Sequence, residues 1–147
     1  MAQLYKHGIN MHEPTQRTKI VVLYCQHCVT RGVESRTATE EHDGVVVQTA
    51  MMPCSCKVQA SELLKLLAAG ADGVEIVACP DAACRHLVGS RVAEKRLGYV
   101  QRLLKEAHVR GDRLGFSWIS GVASDELQAI GHRRAFAVEA SRGGQEA

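Results

Sequence analysis

Six cysteines fall in this chain as three close pairs, Cys25 with Cys28, Cys54 with Cys56, and Cys79 with Cys84. Cysteine can carry three kinds of chemistry here. Four thiolates around zinc close a structural site, four around an iron–sulfur cluster make an electron carrier, and one C-x-x-C pair can run thiol–disulfide exchange. The spacings are C-x2-C, C-x-C and C-x4-C, and only the first is the short knuckle usual for zinc. Thiol exchange at Cys25-Gln26-His27-Cys28 calls for a helix N-terminus to lower one thiol's pKa. The segment from Val29 is a poor helix former, and that reading leaves four cysteines without a role. Cysteine is also a small buried hydrophobe, but cysteines recruited only for packing would be scattered through strands and helices.

The elements that must position these residues follow from apolar patterning. Residues 19–24 (KIVVLY), 44–49 (GVVVQT), 73–78 (GVEIVA) and 114–119 (LGFSWI) are short, nearly continuous apolar runs, as strands buried on both faces require. Longer polar or amphipathic stretches separate them. The pattern predicts an α/β fold, Rossmann- or flavodoxin-like, with a mostly parallel sheet of about four strands and flanking helices. Ser61 is placed to cap a helix carrying Leu63, Leu64, Leu66 and Leu67, with Gly70 as its stop. A long helix is expected over 90–108, where Ala93, Leu97, Val100, Leu104 and Ala107 recur at helical spacing. A last helix should follow Ser124 and run through Leu127, Ile130 and Phe136, with Gly131 inside it. Residues 31–43 are polar and lack apolar periodicity, and a short helix is assigned there. On this map every cysteine pair starts just after a strand. Ligand sites of open parallel sheets form at that carboxyl edge, so three sequence-distant pairs should converge.

The chain has 147 residues, enough for one domain with a real core. A net charge of +2 is too near neutrality to point to nucleic acid or a membrane surface. The longest apolar runs fall far short of the roughly 20 residues of a membrane span, and the first residues carry no apolar secretory core. The expectation is therefore a cytoplasmic protein without membrane insertion, divided into an N-terminal tail (1–18), an α/β domain (19–140) and a C-terminal tail (141–147). In a reducing compartment clustered cysteines serve metals or redox chemistry more often than structural disulfides. The glycines form no dinucleotide or phosphate-loop pattern, and no nucleophile–base constellation competes with the cysteines.

The stretches YCQHC (24–28), MPCSCKV (52–58), AAGADGVEIVACPDAACRH (68–86) and FSWIS (116–120), in this order, resemble the delta, or small iron–sulfur, subunit family of methyl-viologen-reducing hydrogenase, with its relatives in heterodisulfide-reductase-type flavoprotein complexes. That resemblance implies one [2Fe-2S] cluster. It also implies electron relay between an oxidoreductase of the hydrogenase or formate dehydrogenase type and a flavin- and iron–sulfur-containing heterodisulfide-reductase-like subunit. Carried over by position, Cys25 and Cys28 match the family's first pair, Cys54 its central cysteine, and Cys79 and Cys84 its last pair, five candidates for four ligand positions. Cys56 stands where the family usually has glycine. His27 replaces a bulky aromatic, and Pro80-Asp81-Ala82-Ala83 replaces a His-Pro-Gly-Asp run. Such changes inside the ligand loops alter hydrogen bonding and solvent access around the sulfurs, which help set a cluster's potential. His27 and His86, flanking the loops, are expected to lie outside the ligand set, as hydrogen-bond donors or solvent-facing residues. Arg85 would offset the cluster's negative charge, pair with an acidic partner, or simply meet solvent. The tails and the 90–108 helix are the surfaces such a carrier would offer a partner.

Overall fold

The computed structural model describes residues 17–30, 33 and 37–145. The N-terminal tail expected over 1–18 lies outside the described residues as far as residue 16. Five strands, β1 (Thr18–Cys25), β2 (Thr37–His42), β3 (Val45–Met52), β4 (Gly73–Ala78) and β5 (Leu114–Trp118), form one sheet in the order β2-β3-β1-β4-β5. The pairs β1–β3, β1–β4 and β4–β5 are parallel, and β2 joins antiparallel to β3. Three helices flank the sheet, α1 (Ala60–Ala68), α2 (Gly89–Glu106) and α3 (Ser124–Gln145). The α/β architecture and its mostly parallel sheet are therefore as the sequence predicts.

The alternation of side chains along β1 divides the core. Ile20, Val22 and Tyr24 face α3 and pack with Val45, Val47, Leu127, Ile130 and Ala135. Val21 and Leu23 face the other layer, where α1 and α2 contribute Leu63, Leu67, Leu97, Val100 and Leu104 against Val74, Ile76 and Leu114. Each such side chain taken from water contributes about 1.5–3 kcal/mol. β4 is buried along its whole length, as the middle of a covered parallel sheet must be.

Two expectations are corrected. The fifth strand, β2, occupies part of the segment assigned a short helix. Asp43 and Gly44 both take positive φ, 49° and 75°, between the paired residues His42 and Val45. This is the two-residue hairpin turn that an Asp-Gly dipeptide favours, since both central positions need the left-handed region. α1 is capped by Gln59, which forms a reciprocal capping box with Glu62, so Ser61 lies inside the helix. The last helix runs through Leu127, Ile130 and Phe136 as expected; Phe136 lies on its outer side, 74% exposed, while the buried stripe comprises Leu127, Ile130, Ala135 and Val138. α3 also continues to Gln145, into the stretch whose composition reads as a tail.

Candidate metal centre

β1 ends on Cys25, and the chain then turns sharply, with Cys28 N–H donating to the Cys25 carbonyl at 2.9 Å. The outgoing chain is tied to the loop before α3. Val122 N–H donates to the Cys28 carbonyl at 2.8 Å, and Val29 bridges Val122 in parallel. The neighbouring parallel strand β4 delivers Cys79 one residue past its end. The three sulfurs meet beneath the carboxyl edge of the sheet. Cys28 Sγ lies 3.3 Å from Cys79 Sγ, Cys79 Sγ lies 3.9 Å from Cys25 Sγ, and all three fall within 4.8 Å of one another. They are buried, at 3%, 0% and 3% exposure for Cys25, Cys28 and Cys79.

The remaining cysteines form a rim. Cys54 precedes a 3-10 turn (Ser55–Lys57), and Cys84 follows another (Asp81–Ala83). The first turn is pinned to α2 by Arg96, whose guanidinium donates to the Cys56 carbonyl at 2.5 Å and the Val58 carbonyl at 2.8 Å. The second is held by the Arg91–Asp81 ion pair. Both bring their sulfurs to Gly89, the first residue of α2. A Cβ on Gly89 would stand 2.7 Å from Cys54 Sγ and 3.3 Å from Cys84 Sγ, so only glycine admits the helix end between them. Cys56 lies beside Cys54 and is half-buried. Gly89 carries no chemistry of its own, and its place at the site depends on contacts across 35 and 5 residues of chain that its neighbours in sequence do not reveal.

The electrostatics of the inner group are those of sulfurs sharing protons. The Cys28 thiol beside Cys25 is the main influence that lowers Cys25 to about 5, helped by the backbone N–H groups of His27 and Ser55, while burial opposes it. Cys28 is pushed up by the thiolate character of Cys25 and by burial, and Cys79 by burial. Burial also raises Cys54 to about 11. Cys84 is the exception at the rim. Burial pushes it up, yet backbone N–H groups of Ser90, His86 and Gly89 bring it below its ordinary value.

This arrangement is a set of soft donors in a dry setting. No imidazole or carboxylate belongs to the three-sulfur group, so its chemistry suits a thiophilic metal or an iron–sulfur centre. It suits thiol exchange poorly, because Cys25 and Cys28 are both covered and, among the described residues, no helix starts directly after them. His27 is half-buried and His86 exposed, their rings 6.3 Å apart at the mouth of the site, and Arg85 is exposed. Among the described residues no helix is long and apolar enough to cross a membrane.

The family model for the methyl-viologen-reducing hydrogenase delta subunit matches residues 20–139, a span that takes in all five strands except the first two residues of β1, and all six cysteines. Among curated proteins, the chain is 24% identical over 109 residues to an iron-sulfur subunit of the F420-non-reducing hydrogenase vhu of Methanocaldococcus jannaschii, covering 74% of this chain and 81% of that protein. It is 26% identical over 110 residues to the corresponding iron-sulfur subunit of the F420-non-reducing hydrogenase vhc of Methanococcus voltae, covering 75% and 76%. Sulfur-only donors at the sheet's carboxyl edge and a match over most of the chain lead to one conclusion: the protein belongs to the methyl-viologen-reducing hydrogenase delta subunit family.

Proposed function

We propose that this chain is a cytoplasmic electron-transfer subunit carrying one [2Fe-2S] cluster. The cluster would be held by Cys25, Cys28 and Cys79 with a fourth thiolate from Cys54 or Cys84. The observation that carries this reading is the three-sulfur group, because three thiols from distant parts of the chain converge within 4.8 Å as soft donors, the arrangement a thiophilic cation or an iron–sulfur centre requires. The naming of both relatives as iron-sulfur subunits supports iron over zinc. The centre would give the protein one-electron chemistry. The chain's own part is to exclude water with β1, β4 and the two turns, and to hold the sulfurs close to the surface at Gly89 and Cys84. Its partners in this reading are a hydrogenase- or formate-dehydrogenase-type oxidoreductase and a flavin- and iron–sulfur-containing heterodisulfide-reductase-like subunit. The protein itself turns over no substrate.

Purification without oxygen, followed by iron and acid-labile sulfide analysis, tests the centre. The expected result is about two irons and two sulfides per chain. About one zinc per chain with no iron would overturn the carrier reading in favour of a structural module. Co-purification tests the role, and a chain that associates with no flavoprotein or oxidoreductase would contradict it.

A further inference from the structure

The two faces of the sheet are covered unequally at β3. On one face α3 packs so close that a Cβ on Gly131 would stand 2.4 Å from Val47 Cγ1. On the other, Met52 joins the core that α1 and α2 build, while Val46 and Ala50 stay half-buried and Gln48 exposed. α1 stands to one side of these residues and leaves a trough. Towards the carboxyl end of β3 it is a hollow of about 540 Å³ between Leu23, Ala50, Met52 and Pro53 on the sheet side and Leu66 and Ala69 of α1. Towards the amino end it continues as a hollow of about 230 Å³ over Val46 and Gln48, again against Leu66 and Ala69. From Val46 to Met52 the strand advances about 20 Å, the length of about 13 helical residues. An apolar strip between a helix and a bare strand is the place where a mostly parallel sheet carries its next covering helix. Charge marks the same strip. Lys65 on α1 and Lys57 in the turn after Cys54 line it, both are exposed, and neither is in an ion pair among the described residues. Glu62, the carboxylate beside them, is engaged by the Gln59 N–H at 3.2 Å.

We propose that this trough seats an amphipathic helix of the partner oxidoreductase complex, with its apolar stripe on Leu23, Ala50 and Leu66 and its acidic side chains towards Lys57 and Lys65. The helix completes the layer that α1 and α2 leave short. Burial of the apolar strip supplies the affinity, and the lysines select an acidic partner and speed the encounter. A second copy of this chain is a poor occupant, because the large apolar side chains exposed on α2 and α3, Tyr99 and Phe136, have exposed Lys95, Arg102 and Arg133 one turn away, the same sign as the rim. The trough ends at Pro53, immediately before Cys54, so a helix seated here lies beside the turn that carries a rim sulfur. The inference rests on the reading that the chain is a carrier working within a complex.

The test uses the full chain in the complex it forms, purified without oxygen, and follows the chain's iron and visible absorption together with its retention in the complex on dilution. Ala50→Arg, which puts a charge on the trough floor, should keep its iron and lose affinity for the complex about tenfold or more. Lys65→Glu, at the exposed rim, should keep its iron and lose affinity a few-fold, with less dependence on salt than wild type. p-Benzoylphenylalanine in place of Lys65 identifies the occupant. Light-induced crosslinks to an acidic helix of a partner subunit support the proposal. Crosslinks to the chain's own residues 1–16, to a second copy or to a small molecule overturn it, as does an intact complex with no crosslink. If Ala50→Arg fails to fold, Lys65→Glu and the crosslink decide. Iron-loaded wild type and variants that stay equally bound overturn the inference alone, whereas a wild-type chain without iron, or in no complex, overturns the carrier reading with it.

Discussion

Two buried polar groups lie within β4 and just past its end, and the chain treats them differently. Glu75, in the middle of β4, is closed by the chain itself: Arg134 Nε donates to Oε2 at 2.6 Å and Ser117 Oγ to Oε1 at 2.7 Å. Arg134 also donates to the Asp112 carbonyl at 3.0 Å, so α3 is tied to the β4–β5 end of the sheet through one side chain. Gly115, on β5, leaves the space this pair fills, since a methyl there would collide with both the guanidinium and the carboxylate. Four residues further along, Cys79 sits in the apolar core with two other cysteine sulfurs as its side-chain hydrogen-bond contacts. A buried charge with its partner built in belongs to the architecture. Buried donors gathered with no cation of the chain's own are the mark of a site that takes one from outside. The contrast predicts that the two groups fail in different ways.

The largest effect should come from Cys79→Ser. The Cys79 sulfur lies within 3.9 Å of both its fellows, and serine offers a harder oxygen donor of much lower affinity for iron or other thiophilic metals. Iron content and visible absorption should fall to background, while far-ultraviolet circular dichroism stays that of an α/β protein. Arg134→Ala should show the reverse pattern. It leaves Glu75, only 4% exposed, as an unpaired buried carboxylate, a loss of about 3–5 kcal/mol in urea unfolding. The surviving folded fraction should still hold its metal, because the hydrogen bonds of Arg134 go to Glu75 and the Asp112 carbonyl. A Cys79→Ser protein that unfolds, or an Arg134→Ala protein that folds normally but loads no iron, would erase the distinction between the two groups.

How far each group was legible follows from the same contrast. The core strands stand out because β4 is buried along its whole length and β1 has packed side chains on both faces, while β3 carries a run of three valines, so their residues are apolar in a run. β2 does not, because TATEEH is a strand paired on one side only and mostly exposed, with no apolar face to give a period of two. Its signal was the Asp43-Gly44 turn, a two-residue feature outweighed by the polar segment around it. The cysteines were legible because their type is rare and their positions follow strands. Their division into an inner trio and a rim was not, since it depends on the parallel register of β1 with β4 and on Gly89, which marks close approach without naming what approaches. Gln59 won the α1 cap over Ser61 because Glu62 lies three residues on from Gln59, completing a reciprocal pair that Ser61 lacks.

A smaller effect separates the rim from the inner group by pH. In the metal-free, reduced chain, burial raises Cys54 from its ordinary value of 9.0 to about 11, so the unfolded chain releases this proton first. The contribution is complete below about pH 9 and is lost as pH climbs through about 11, on the order of 3 kcal/mol at most. The difference in urea stability between wild type and Cys54→Ala should therefore narrow over that window. The same proton must leave for Cys54 to bind a metal, so a Cys54 ligand makes loading more favourable as pH rises. A difference that widens instead would mean that Cys54 is held as a thiolate in the folded chain.

The smallest expected effect is also the one that sharpens the ligand set. Cys56 is half-buried, lies outside the three-sulfur group, and is fixed through its carbonyl, which Arg96 binds whatever the side chain. Cys56→Ala should keep the turn in place and leave iron, sulfide and absorption as in wild type. Cys54 and Cys84 both crowd Gly89, and the proposed four-thiolate centre would draw its last ligand from one of them, so Cys54→Ser and Cys84→Ser should differ from Cys56→Ala and from each other. The variant that loses iron identifies the fourth ligand, and the one that keeps iron with a changed spectrum identifies the sulfur beside it. If Cys56→Ala bleaches the protein, then the rim supplies its thiolate from the position where the family usually has glycine, and the centre sits further out than the buried trio alone would place it.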